Sequence, residues 1–142
     1  MEIRPARPAD LSAVQALLRQ AELPWEDVAP HLGAFLVGIQ GAEIVASAGF
    51  EQCGPEALVR SVVLAHELRA QSLGAGLCDT LLGEMRRRGV RDAYLLTTTA
   101  PRFFERLGFT RIARESAPDA IRGTREFAEL CPASAALLHR AL

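Results

Sequence analysis

Residues 69 to 76 read Arg69-Ala70-Gln71-Ser72-Leu73-Gly74-Ala75-Gly76 and stand between a Val- and Leu-rich run and an amphipathic one. The two glycines remove Cβ atoms where the chain turns, so successive backbone N–H groups can point outward at the positive end of a helix. Such a helix mouth is a cradle for a diphosphate. Glycines at this spacing also permit a tight helix start with no ligand, and on this stretch alone both readings stand. A Walker A loop is excluded because it needs a lysine, and all sixteen Lys+Arg residues are arginine. A dinucleotide fingerprint fits poorly too, since Gly74 and Gly76 run on to Asp79 and hairpin strands precede the unit.

Working outward, Ala57 to Leu64 is rich in Val and Leu and is expected to form a central, buried strand. Before it, Ala34 to Ile39 and Glu43 to Phe50 flank Gln40-Gly41 and predict an antiparallel hairpin. Ile3 to Ala6 reads as a short strand. Asp10 stands where an N-cap would, ahead of helically spaced Leu11, Val14, Leu17, Leu18 and Ala21. Trp25 to Gly33 is a loop or short helix. After the glycine loop, Gly74 to Arg88 carries Leu77, Leu81, Leu82 and Met85 on one helical face, with Gly89 as its terminator. Asp92 to Thr97 is a strand, Pro101 to Leu107 a short helix and Phe109 to Ala113 a strand, a crossover that requires local parallel pairing. Pro118 to Leu130 is read as a helix and Ala133 to Leu142 as a strand.

The 142 residues suit one domain spanning 1–142. At 49% hydrophobic and 23% charged residues, with no apolar run near the roughly 20 residues that cross a bilayer, no membrane helix is expected. The opening residues lack the apolar stretch of a secretory signal, so a cytoplasmic location is expected. A net charge of −1 gives no electrostatic reason for a nucleic-acid partner. Cys53, Cys78 and Cys131 are odd in number and widely spaced, which predicts neither a disulfide framework nor a cysteine metal site. His31, His66 and His139 show no ligand spacing, and no metal is expected.

With these elements in order, Gln71-Ser72-Leu73-Gly74-Ala75-Gly76 resembles the Gln/Arg-x-x-Gly-x-Gly/Ala signature of the GNAT superfamily of N-acetyltransferases. Phe103-Phe104-Glu105-Arg106-Leu107-Gly108-Phe109 is similar to that family's aromatic-x-x-x-Gly-Phe segment, and Arg4-Pro5-Ala6 with Asp10 to its opening. The resemblance implies an α/β (α+β) fold, a mixed, mostly antiparallel sheet of six to seven strands flanked by about four helices and splayed at its centre. It implies acetyl-CoA as acyl donor. Val62, Val63 and Leu64 would hold the pantetheine arm, and Arg69, Ala70, Gln71, Ser72, Leu73, Gly74, Ala75, Gly76 and Leu77 the diphosphate. Thr97, Phe103, Phe104 and Arg106 would complete the cofactor site. The Val62 N–H would polarise the thioester carbonyl. Where the family often has a tyrosine to protonate the leaving thiolate, this sequence has Phe104, which has no proton to give. Thr97, Thr98 or water would serve instead, or the thiolate leaves unassisted.

Leu58-Val59-Arg60-Ser61-Val62-Val63, Leu95 to Thr99, Ile121 to Phe127 and Leu130 to Ser134 resemble arsenic-resistance N-acetyltransferases, and they also resemble small amino-acid acetyltransferases of the N-acetylglutamate-synthase type. A small amine acceptor follows, attacking the thioester directly in a ternary complex. Glu51, after its strand, is the expected general base, against the reading of an exposed glutamate. Arg60 interrupts an apolar strand, so it pairs with a buried carboxylate or, with Ser61, meets an anionic acceptor. Arg122 and Arg125 are further acceptor candidates. Cys53 and Cys131 would suit a soft ion such as arsenic if they met. A weakly catalytic acyl-CoA sensor and an acetyltransferase acting on proteins are the competing readings, and a homodimer is compatible with so small an enzyme.

Overall fold

The computed structural model describes residues 1–69 and 72–142. Seven strands form one mixed sheet: β1 (Glu2–Pro5), β2 (Phe35–Gln40), β3 (Glu43–Cys53), β4 (Glu56–Leu64), β5 (Asp92–Thr97), β6 (Thr110–Ile112) and β7 (Ala136–Ala141). Their spatial order is β1-β2-β3-β4-β5-β7-β6. Only β4 and β5 pair in parallel, joined through helix α2 (Leu73–Arg87); the other neighbours are antiparallel. β5 and β6 run the same way but do not pair, because β7 lies between them, so the parallel pairing expected across that crossover is not formed.

Alternation along the strands sends successive side chains to opposite faces. Leu36, Ala48, Phe50 and Val59 meet Leu77, Leu81 and Met85 of α2 and Phe104 of α3 (Pro101–Arg106). Phe35, Val37 and Val63 face the other way, onto Val14 and Leu18 of α1 (Leu11–Gln20). Leu58, Tyr94 and Leu137 bury Ile121 of α4 (Asp119–Arg122) on that second face. Gly89 takes a φ of +88° after α2, the left-handed geometry that ends a helix.

Two further expectations need correcting. Asp10 precedes α1 but its own backbone is helical, and its carboxylate reaches backwards to the Arg7 N–H (2.7 Å) and the Arg4 guanidinium (2.7 and 3.1 Å). It therefore ties β1 to the 3-10 turn Pro8–Asp10. The segment 118–130 is not one helix. α4 stops at Gly123, and a separate π-helical turn, Glu126–Leu130, follows. The Thr124 hydroxyl donates to Ile121 O (2.7 Å) and accepts from Phe127 N–H (3.3 Å), which closes one turn and starts the next.

Candidate active site

The sheet parts at its centre. β4 pairs with β5 only from Glu56↔Asp92 to Val59↔Leu95, after which Arg60 to Leu64 have no β5 partner. β3 stays attached on the other side, with a bulge: between Gly49↔Arg60 and Ser47↔Val63, Ser61 and Val62 stand opposite Ala48 alone. Ser61 adopts φ +59°, a conformation that is costly for a residue with a Cβ. Ser47 holds it there by donating its hydroxyl to Ser61 O (2.8 Å), and Arg60 Nε–H donates to Ser61 Oγ (3.1 Å).

Past the bulge, Ala65 N–H donates to Val45 O on the β3 side (2.7 Å). Backbone groups alternate along a strand, so the amides of Val62 and Leu64 face the gap and that of Val63 faces β3. The Leu64 carbonyl, on the gap side, accepts from Arg69 Nε–H (3.2 Å). Unpaired strand amides beside a cavity are groups that another extended amide chain can satisfy.

Two cavities occupy the gap. An outer one of about 550 Å³ is lined by Val62 to Leu64, Arg69, Gly74, Phe103 and Phe104. An inner one of about 170 Å³ is lined by Arg60, Ser61, Thr97 to Thr99, Glu126 and Cys131. Val62, Thr99, Ala100 and Phe104 belong to both walls, so the cavities join at the bulge.

The N-terminus of α2 lies at the outer end. Gly74 packs so closely that a Cβ there would lie 3.2 Å from Phe103 Cζ, whereas a Cβ on Gly76 would meet no atom within 4 Å. One glycine thus lets the helix pack tightly on Phe103, and the other keeps an exposed helix mouth bare. Among the described residues Ser72 offers no side-chain cap, and the first amides of a helix are groups that can bind an anion. Leu77 is fully buried in the core, and as the fifth residue of α2 its amide bonds within the helix, so it does not share in this cradle. Arg106 is exposed and lines neither cavity. Ala70 and Gln71 lie outside the described residues.

At the inner end, Arg60 is 3% exposed and bonds Asp27 with both terminal nitrogens (2.5 Å each). Its partner is therefore an internal carboxylate, the first of the two roles its sequence position allowed. Asp27 lies in the segment left unassigned by the sequence. Burial acts to raise its carboxyl, but hydrogen bonds and charge from Arg60 outweigh that and hold it below the usual carboxylate range. Glu126 stands 3.9 Å from Arg60. Burial pushes its carboxyl up to about 7, with Asp27 and Glu51 adding to the rise and Arg60 opposing it. Thr97 accepts Ala100 N–H at its hydroxyl (3.1 Å) and keeps its own proton to donate.

Glu51 is not on either cavity wall; one of its oxygens lies 3.8 Å from His31 Nε2 and the other is buried with no hydrogen-bond partner among the described residues. Arg122 braces the preceding turn through the carbonyls of Ala117 (3.0 Å) and Glu115 (2.5 Å). Arg125 pairs with Glu129 on the surface (3.1 Å). Neither arginine borders the inner cavity. Asp27 and Glu126 were missed in the sequence because their significance comes from Arg60, a residue remote from both along the chain.

Among solved structures the chain is similar to Rv2747 of Mycobacterium tuberculosis, a structure containing CoA and a second bound molecule. The TM-score is 0.84 at 18% identity, covering 100% of this chain and 99% of that one. N-acetylglutamate synthase of Neisseria gonorrhoeae, complexed with coenzyme A and N-acetyl-glutamate, aligns at TM-score 0.85 and 17% identity over 99% of this chain. Only 35% of the synthase is covered. Ard1 of Thermoplasma volcanium aligns at 0.77 and 17% identity, covering 99% and 97%. No curated protein sequence matches. Residues 3–109 match the acetyltransferase (GNAT) family. A parted central pair of strands, a bare helix mouth and that match over most of the sequence have one explanation: the chain belongs to the GNAT acetyltransferases, enzymes whose acetyl donor is acetyl-CoA.

Proposed function

We propose that this N-acetyltransferase places coenzyme A in the outer cavity and a small amine, amino-acid-like in size, in the inner one, and transfers acetyl by direct attack in a ternary complex. The observation that carries this reading is the joining of the two cavities at Val62, whose amide faces the gap. The α2 amides would take the diphosphate, and the Val62 and Leu64 amides the pantetheine. The Val62 N–H would stabilise the oxyanion that forms as the amine attacks. An inner cavity of about 170 Å³ matches a free amino acid far better than a protein segment. A structural neighbour complexed with coenzyme A and N-acetyl-glutamate supports the same acceptor class.

Direct transfer also fits the thiol chemistry. Cys131 is the cysteine on the inner wall, and burial, with help from the Glu126 charge, pushes its thiol up to about 11. A thiol that stays protonated near neutral pH is a poor nucleophile, so an acetyl-cysteine intermediate is disfavoured.

Titration calorimetry with coenzyme A and thiol release from acetyl-CoA with a panel of amines test the proposal. The panel includes glutamate-like amino acids and their phosphorus and arsenic analogues, together with a peptide N-terminus. Micromolar coenzyme A binding and amine-dependent thiol release are expected. Absence of binding overturns the site; binding without transfer to any amine favours an acyl-CoA sensor.

A further inference from the structure

Transfer from a thioester needs a neutral amine, yet amines reach the protein as ammonium ions at neutral pH. Some group on the inner wall has to accept a proton. The Asp27 carboxylate is spent on two hydrogen bonds from Arg60. Glu51 is off the wall, and Cys131 is a thiol held protonated. The hydroxyls of Thr97 to Thr99 are not bases near neutral pH. Glu126 remains. Its side chain is 6% exposed and borders the inner cavity. Among the described residues no hydrogen bond reaches its carboxylate, and the positive charge beside it is Arg60 at 3.9 Å. The π-helical turn Glu126–Leu130 puts it there, with Thr124 fixing the start of that turn.

Resting on the transferase reading above, we propose that Glu126 is the general base, binding the incoming ammonium group through its carboxylate and taking one proton from it before the nitrogen attacks the acetyl carbonyl. The proton moves from nitrogen to a Glu126 oxygen. As the C–N bond completes and the C–S bond breaks, the nitrogen gives up its second proton, which passes through the Thr97 hydroxyl or water to the departing thiolate.

The groups facing Glu126 suit this work. Arg60 comes from β4, Asp27 from the loop after α1, Glu51 from β3 and Cys131 from the end of the π-helical turn. With Arg60 neutralised by Asp27, the surplus charge is negative, and the carboxyl titrates at about 7. A base poised near the working pH can accept a proton in one step and release it in the next. The same surplus charge favours an ammonium ion at the inner end.

The test compares the intact protein with Glu126→Gln across pH 5.5 to 9, using an α-amino amide and an alkylamine whose own titrations lie about two units apart. In wild type, kcat is expected to rise with pH through a limb near 7 that stays put when the amine is changed. In Glu126→Gln this limb disappears and kcat at pH 7.5 falls roughly a hundredfold, the low end for general-base loss. Coenzyme A affinity, measured on the same samples, stays unchanged and shows the variant is folded. A limb that follows the amine's own titration overturns the proposal, as does a Glu126→Gln profile that matches wild type. If wild type binds coenzyme A but acetylates neither amine nor any member of the wider panel, the transferase reading fails and this role fails with it.

Discussion

Where many GNAT enzymes have a tyrosine this chain has Phe104, and Thr97 is the hydroxyl we propose for the leaving thiolate's proton. Phe104 lies on both cavity walls, with its ring edge-on to Phe103 and Phe109 (centroids 5.0 and 6.0 Å), so it shapes the junction but supplies no proton. The Thr97 hydroxyl is on the inner wall and is oriented by the Ala100 amide. Thr97→Val is expected to lower kcat roughly tenfold or more, a modest share of what general acids contribute, while Thr97→Ser stays near wild type. Phe104→Tyr would restore a phenolic donor at the junction, so a Thr97→Val change made in that background costs much less. Steady-state kinetics on the four proteins form a double-mutant cycle. Additive effects would show that the two positions do not serve the same proton.

At the scale of elements, the glycine pair in the first turn of α2 was readable because its physics is local. Gly74 and Gly76 mark a helix start in any context, and the structure separates their roles through what a Cβ would touch. Gly76→Ala adds a methyl group to open space, and alanine is favoured over glycine in a helix by about 0.5–1 kcal/mol. The variant is expected to melt a few degrees higher than wild type while binding coenzyme A roughly tenfold more weakly, since the methyl group occupies the approach to the amides. Calorimetry and thermal melts on one preparation check both signs. Unweakened binding would show that this face of the helix mouth is not the approach to the diphosphate cradle. The strand limits of Asp92–Thr97 were equally legible, being set by an uninterrupted apolar run. The bulge at Ser61 was not. Nothing in Arg60-Ser61-Val62 demands a positive φ, which exists because Ser47, on the neighbouring strand, holds the Ser61 carbonyl. The break between α4 and the π-helical turn escaped sequence reading for a similar reason: Thr124 is a tolerable helix residue until its hydroxyl bonds backbone on both sides.

On the scale of the whole molecule, the order of strands and helices follows from periodicity, but the inner cavity depends on contacts between distant segments. Asp27, Arg60 and Glu126 come from three parts of the chain and meet where the sheet opens. Arg60 alone advertised this in the sequence, as a charge in an apolar strand that had to be answered. The cluster also gives the protein a pH-dependent stability with two opposite slopes. Asp27 is held below its ordinary range in the folded state, so the stability it contributes is present above the unfolded carboxylate range and is lost as acid protonates the folded group. Glu126 has the reverse sign. Its folded value of about 7 exceeds the ordinary 4.5, so its contribution is complete below 4.5 and is lost as pH rises through about 7, when a buried carboxylate must be charged. Wild type should therefore be most stable in mildly acidic solution and should weaken between pH 5 and 8. Glu126→Gln carries no ionisable group, so its stability should hold level across that window and overtake wild type at the alkaline end. Denaturant unfolding at several pH values reads this directly, without coenzyme A or acceptor present. Parallel pH curves for the two proteins would mean that Glu126 titrates in the folded state as it does in the unfolded chain.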